Sequence, residues 1–185
     1  MRPVRPLRAL ALCTLLSLAL TCGCTNSTPD SEPTDLESWS AEDEAKAVAA
    51  AEQAVRDWWR VHSQCLADPP NTEPSCFEEV AVDEALADDI EDLQTAQEYG
   101  VRYTGERRYV RTERVVEVRL NPGFDKEILI SVCQDNQDFD ILDSDGKSMF
   151  PSDSPIRFRR IWMLRNYVGT WLVAGIFEDP EGSTC

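Results

Sequence analysis

Residues 47–69 read AVAAAEQAVRDWWRVHSQCLADP, the longest helical pattern in the chain. Val48, Ala51, Val55, Trp58, Trp59, His62 and Leu66 recur mainly at spacings of three and four, which sets them along one stripe of an α-helix. The pattern reaches back to Ala41, where Ser40 can cap the helix and Asp43 follows three residues on, a weak form of the capping box. Asp68-Pro69-Pro70 ends it, because proline cannot donate the N–H that a continuing helix needs. The spacing predicts a first helix over about Ala41–Ala67 whose buried face is rich in aromatic rings.

Two more helices are expected beyond this one. Ser75 and Glu78 stand in capping-box register and predict a short helix through about Val80. Asp83 to Tyr99 carries Leu86, Ile90, Leu93 and Gln97 along one stripe, and Gly100 supplies the stop. After Gly100 the period changes to alternation. Val116, Val118 and Leu120 alternate with Glu117 and Arg119 before a turn at Asn121-Pro122-Gly123. Ile128–Cys133 reads as a central strand, Asp138–Leu142 as another, and Asp143-Ser144-Asp145-Gly146 as a turn. Ile156, Phe158, Trp162 and Leu164 line one face of a long strand, and Asn166–Gly169 turns it into Trp171–Phe177. About three helices followed by an antiparallel sheet of four to six strands is an α+β pattern.

The first-helix segment, a helix ending Gln97-Glu98-Tyr99-Gly100, strands with Val132-Cys133-Gln134-Asp135 and Leu142-Asp143-Ser144-Asp145-Gly146, and Gly169-Thr170-Trp171-Leu172-Val173 near the end together carry a resemblance. The chain resembles secreted actinobacterial lipoproteins of the nuclear transport factor 2-like superfamily, over about Ala41–Cys185. The resemblance implies a cystatin- or nuclear transport factor 2-like cone, in which a strongly curved sheet wraps the first helix around a cavity. Some such proteins are dehydratases, isomerases or cyclases with acid/base side chains in that cavity, and many others only bind ligands or partners.

Towards the N-terminus the chain reads as an export signal. Arg2, Arg5 and Arg8 precede the uncharged apolar run Ala9–Leu20, which is short for a bilayer span and right for a signal core. Leu18-Ala19-Leu20-Thr21-Cys22-Gly23-Cys24 then resembles a bacterial lipobox, whose cysteine sulfur forms a thioether with diacylglycerol. Cys24 is preferred as the lipidated residue, with Cys22 the alternative, because its use leaves an even number of cysteines downstream. The expected organisation is a signal peptide over 1–23, a lipidated, disordered acidic tether over 24–38, and one domain over 39–185. The implied location is the outer face of the bacterial plasma membrane, held by the lipid.

Charge narrows the partners. The chain has 18 basic and 34 acidic side chains and a net charge of −16. Between Thr25 and Gly100 there are 20 acids and 3 bases, whereas Val101–Gln134 holds 5 acids and 7 bases. Nucleic acid and anionic lipid surfaces both call for net basic faces, so neither is an expected partner of the domain. An envelope protein or a small apolar ligand is.

Cys65, Cys76, Cys133 and Cys185 suit disulfides in an oxidising compartment. Three pairings are open, and Cys65–Cys76 with Cys133–Cys185 is favoured, since the first pair flanks one Pro-rich loop. No cofactor is expected: Gly-rich phosphate loops and Gly-x-Ser-x-Gly elbows are missing. No metal is expected either. The acidic run Asp135, Asp138, Asp140, Asp143, Asp145 before Gly146 has Ile141 at the first calcium-ligand position and Ser152 where a glutamate should stand. One histidine without a close cysteine pair offers no zinc spacing.

The remaining candidates lie on the aromatic stripe. His62 is the only histidine and could act as a general base if a carboxylate oriented it. Trp58, Trp59 and His62, with Trp162 and Trp171, could line a ligand site or simply fill a core. The preferred function is a non-catalytic ligand- or partner-binding module of the cell envelope. The alternative is a hydro-lyase or isomerase with His62 as base. A buried His62 beside a carboxylate in an open cavity favours the enzyme, and an interior filled by tryptophan and leucine favours the module.

Overall fold

A computed structural model describes residues 40–121 and 124–185 of the chain. The expected export signal, Cys22, Cys24 and the whole of the tether lie outside the described residues, as do two residues of the turn at Asn121-Pro122-Gly123. The order of elements is α1 (Ala41–Cys65), two 3-10 turns (Pro69–Asn71 and Pro74–Phe77), α2 (Asp83–Tyr99), then β1 (Arg102–Asn121), β2 (Phe124–Leu142), β3 (Arg157–Tyr167) and β4 (Thr170–Glu178). The four strands form one antiparallel meander in the order β1-β2-β3-β4. The class is therefore α+β, with two α-helices rather than three among the described residues.

α1 starts as its sequence predicts. The Ser40 hydroxyl accepts the Asp43 N–H at 3.1 Å and in turn donates to the Asp43 carboxylate, whose pKa falls in consequence, chiefly through that hydrogen bond. Ala51, Val55, Trp58, Trp59, His62 and Leu66 are all buried, so the stripe is the inner face of the helix. The short helix expected from Ser75 is instead a 3-10 turn. Pro74 opens it, and neither Ser75 nor any other side chain caps it, so its hydrogen bonds close as i→i−3 turns, Cys76 to Glu73 and Glu78 to Ser75. Gly100 closes α2 with φ 68°, a left-handed conformation that costs glycine nothing.

The sheet differs from expectation in one respect. The strands expected over 128–133 and 138–142 are a single strand, β2, which continues through the polar residues between them. Its pairing with β1 shifts register at five points, one of which sets Arg107 opposite both Asn136 and Gln137. Such irregularities let a long strand bend without breaking. Ile156 is exposed and precedes β3, so it does not share the inner face with Trp162 and Leu164.

The middle of β2 is buried on both sides, one face apolar and the other polar. Its inner residues Ile128, Ile130 and Val132 meet α1 together with Trp162, Leu164 and Val173. Its other face carries Glu127, Ser131 and Cys133, and these are covered by charge and by the C-terminal tail. Glu127 accepts from Arg165 at 2.8 Å and from Arg119 at 3.3 Å. Asp179 accepts from Ser131 at 2.6 Å and from Arg114 at 2.9 Å, and a Cys133–Cys185 disulfide fastens the last residue to β2. A second disulfide, Cys65–Cys76, joins the end of α1 to the turn before α2.

Candidate functional site

A hollow beside the core lies between the C-terminal half of α1 and the first half of β1. Its volume is about 640 Å³, within the range of small-molecule sites. α1 contributes Arg56, Trp59, Arg60 and Ser63, which fall on one side of the helix at spacings of three and four. β1 contributes Gly105–Tyr109. Gly105 has φ 72°, and a Cβ there would stand 1.6 Å from the Asp138 carbonyl oxygen, so only glycine permits this approach of β1 to β2.

Strand alternation places Tyr103, Gly105, Arg107 and Tyr109 on the same side of β1. Tyr103 and Tyr109 pack against the core, so Arg107 occupies a position that an apolar residue would ordinarily take. Its guanidinium lies 4.0 Å from the centre of the Phe139 ring, and its Nε is sealed without a hydrogen-bond partner. Burial draws its pKa below the ordinary value, against the fields of Tyr103, Asp92 and Asp89. Arg56 stacks 3.9 Å from the Tyr109 ring centre and approaches Glu52 at 3.6 Å; Arg60 approaches Asp57 at 3.5 Å; Arg108 pairs with Asp138. Among the described residues Arg107 has no carboxylate within ion-pair distance. A second hollow, of about 390 Å³ beside Phe139, Phe150 and Pro151, has no cationic side chain in its wall.

Behind the cleft is a sealed polar pair. His62 and Asp89 are 2% and 3% exposed, and Nε2 of the histidine is 3.5 Å from Oδ1 of the carboxylate. Trp58 donates its indole N–H to the other oxygen, Oδ2, at 2.9 Å and stacks on the imidazole with centroids 4.2 Å apart. Burial lowers the His62 pKa to about 4, with Asp92, 3.9 Å away, acting in the opposite sense. Burial likewise raises Asp89 to about 7, with the Trp58 hydrogen bond opposing it. Tyr103, next to Asp92, is pushed up to about 12 by burial. At neutral pH the pair thus holds a neutral imidazole beside a carboxyl group that is about half protonated.

The tryptophans separate into different roles. Trp162 packs edge-on against Trp58 at 5.2 Å and Trp59 at 5.4 Å, filling the space between α1 and β3. Trp59 is buried yet forms part of the cleft wall, whereas Trp58 belongs to the sealed pair and Trp171 lies apart, beside Ala54 and Thr170. His62 does not line the cleft. The three residues proposed for ligand contact are neighbours, then, but only Trp59 reaches the hollow.

The partner of His62 was hidden in the α2 pattern. Ala85, Asp89, Leu93 and Ala96 are the buried positions, one step round from the stripe of Leu86, Ile90, Leu93 and Gln97. An acid at four-residue spacing between Ala85 and Leu93 is the signal that identifies it. Gln97 instead donates to the carbonyls of Pro69 and Thr72, tying α2 to the loop. The aspartates before Gly146 have local partners: Asp135 binds Arg157, Asp140 accepts from Ser148, and Asp143 accepts the N–H groups of Asp145 and Lys147 to shape the turn. Among the described residues the grouping with metal-ligand spacing is Glu113, Cys133 and Cys185, whose two sulfurs are bonded to each other.

No protein-family model matches the chain, and no curated protein matches it. Among solved structures it is similar to the intermembrane space region of the chloroplast protein ARC6, with 12% identity and a TM-score of 0.48 over 71% of this chain and 96% of that one. It is also similar to a putative calcium/calmodulin-dependent protein kinase II association domain from Xanthomonas campestris, with 12% identity and a TM-score of 0.35 over 80% and 94% of the two chains.

Proposed function

We propose that the chain is a lipid-anchored, extracytoplasmic binding module of the bacterial cell envelope, a cone of the nuclear transport factor 2-like kind that takes its ligand without transforming it. The observation that carries this reading is the separation of His62 from the cleft: the histidine is buried among Trp58, Phe77 and Tyr103 and does not line the hollow, while Trp59 and Tyr109 do. A general base must reach the proton it removes, directly or through one water. An aromatic wall with polar side chains at its edge needs no such access to hold a ligand. The lipobox reading of Cys24 and the acidic tether support the location.

The alternative, a hydro-lyase or isomerase, draws on the 3.5 Å approach of Asp89 to His62, the pairing that orients a catalytic imidazole. Native mass spectrometry of the protein extracted from membranes of the producing bacterium tests both readings. A diacylglyceryl mass on Cys24 and a small molecule that stays bound in His62→Gln but is lost from Trp59→Ala are the expected results. A chain with its leader intact, no acyl mass and no retained molecule overturns the proposal. A bound molecule that changes chemically in the wild type and not in His62→Gln would establish the enzyme.

A further inference from the structure

We infer that the cleft between α1 and β1 is a receptor for a small organic anion, with a carboxylate or phosphate head set against Arg107 and a flat apolar body lying along Trp59 and Tyr109. The inference rests on the binding reading above and adds the class of ligand. Three observations carry it.

The first is where the cations are. The chain is acidic overall, and Thr25–Gly100 holds only 3 bases, yet two of them, Arg56 and Arg60, are in this cleft wall. Arg107 and Arg108 face them from β1, and Glu106 is the single acid lining the hollow. Four arginines against one lining acid make this cleft locally favourable to an anion on an otherwise acidic chain. The second is the state of Arg107. Arg56, Arg60 and Arg108 each have a carboxylate neighbour, but Arg107 has none within ion-pair distance among the described residues, although it sits at a core-facing strand position. The nearest acids, Asp92 and Asp89, act on it only through space, so a largely buried guanidinium is left without a direct ion pair, and its planar donors fit a carboxylate or phosphate. The third is the walls. Tyr109 and the edge of the largely buried Trp59 line the hollow beside the arginines, and Arg56 over one face of the Tyr109 ring shows that this wall accepts a flat cationic or aromatic neighbour.

The test uses the whole purified protein, labelled with 15N at tryptophan indoles, with the Trp59 resonance assigned from Trp59→Phe. Benzoate, phenyl phosphate and the neutral benzyl alcohol are titrated in separately at low salt. Saturable shifts of the Trp59 indole with benzoate or phenyl phosphate, and binding at least about tenfold weaker for benzyl alcohol and for Arg107→Met, are the expected results, one charge-assisted hydrogen bond being worth that much. Arg107→Lys keeps the charge and should retain part of the affinity. Comparing benzoate with phenyl phosphate distinguishes a carboxylate head from a phosphate head. Equal responses to benzyl alcohol and the anions overturn the anion assignment and leave a neutral binding cleft standing. No response to any of the three probes overturns the cleft as a binding site altogether. Should Arg107→Met fail to fold, the contrast between benzoate and benzyl alcohol on the wild type decides the matter.

Discussion

Replacing Asp89 by Asn should give the stability of this protein a pH dependence that the native His62–Asp89 pair suppresses. His62 has its pKa lowered by burial from an ordinary 6.5 to about 4, and Asp89 has its pKa raised by burial from 3.8 to about 7. Between about pH 4 and pH 6.5 the unfolded chain holds one proton on the histidine and none on the aspartate. The folded chain holds one on the aspartate and none on the histidine. Proton counts are equal, so the pair contributes no slope across this window. In Asp89→Asn only the histidine titrates. The unfolded state then binds one proton more than the native state, and the unfolding constant of the variant should rise about tenfold for each pH unit of acidification. Over the whole window the accumulated loss is about 3 kcal/mol relative to the wild type.

The mirror experiment is His62→Gln. Asp89 alone keeps its proton in the folded state up to about pH 7, so stability should fall as pH rises above 4, by about 4 kcal/mol in all. Urea unfolding followed by tryptophan fluorescence, at about pH 4.5, 5.5 and 6.5, measures both, and subtracting the wild type at each pH removes the contribution of the other acids. Opposite slopes in the two variants are the signature of a proton that changes places on folding. Parallel slopes, or differences that do not move with pH, would refute the reasoning, because they would mean that the two groups titrate in the folded protein as they do in the unfolded chain.

Three further outcomes follow from the packing. Trp162→Ala removes the ring that separates Trp58 from Trp59 and should cost about 3–5 kcal/mol in urea unfolding; a loss below about 1 kcal/mol would mean that the cavity collapses freely. Opening Cys133–Cys185 with a pair of serines should destabilise by about 4 kcal/mol, and opening Cys65–Cys76 by about 3 kcal/mol, because the first closes a loop of 52 residues and the second one of 11; calorimetry that reversed this order would contradict loop closure as the cause. Glu127→Gln leaves Arg165 and Arg119 facing a neutral amide at a site that is 1% exposed and should cost about 3 kcal/mol, and a variant as stable as the wild type would show that neither arginine depends on the buried charge.

Much of the fold was legible in advance, for local reasons. The stripe from Val48 to Leu66 has one helical solution, because only a period near 3.6 brings those residues together, and Gly100 ends α2 because left-handed backbone suits glycine. The α+β class followed from the change of period after Gly100. The split of β2 into two strands was a local misreading. Asp135–Gln137 look like a turn when taken alone, yet Asp135 pairs with Arg108 and Arg157 across the ladder and the Asn136 N–H donates to the Ile156 carbonyl. Ser75 failed as a cap because the turn starts one residue earlier, at Pro74 after Glu73, which places Ser75 inside it, and the Cys65–Cys76 bond ties that corner to α1.

What no local pattern could reveal is who faces whom. Asp89 meets His62 and Trp58 across two helices separated by a Pro-rich loop, and Arg107 meets Arg56, Arg60 and Trp59 only because β1 returns along α1. Composition was enough to show an acidic chain, since counts do not depend on conformation. The desolvation that lowers one pKa and raises another, and the gathering of scattered cations into one cleft, depend on distances between residues far apart in the chain, and those distances exist only once α1 has been laid on the sheet.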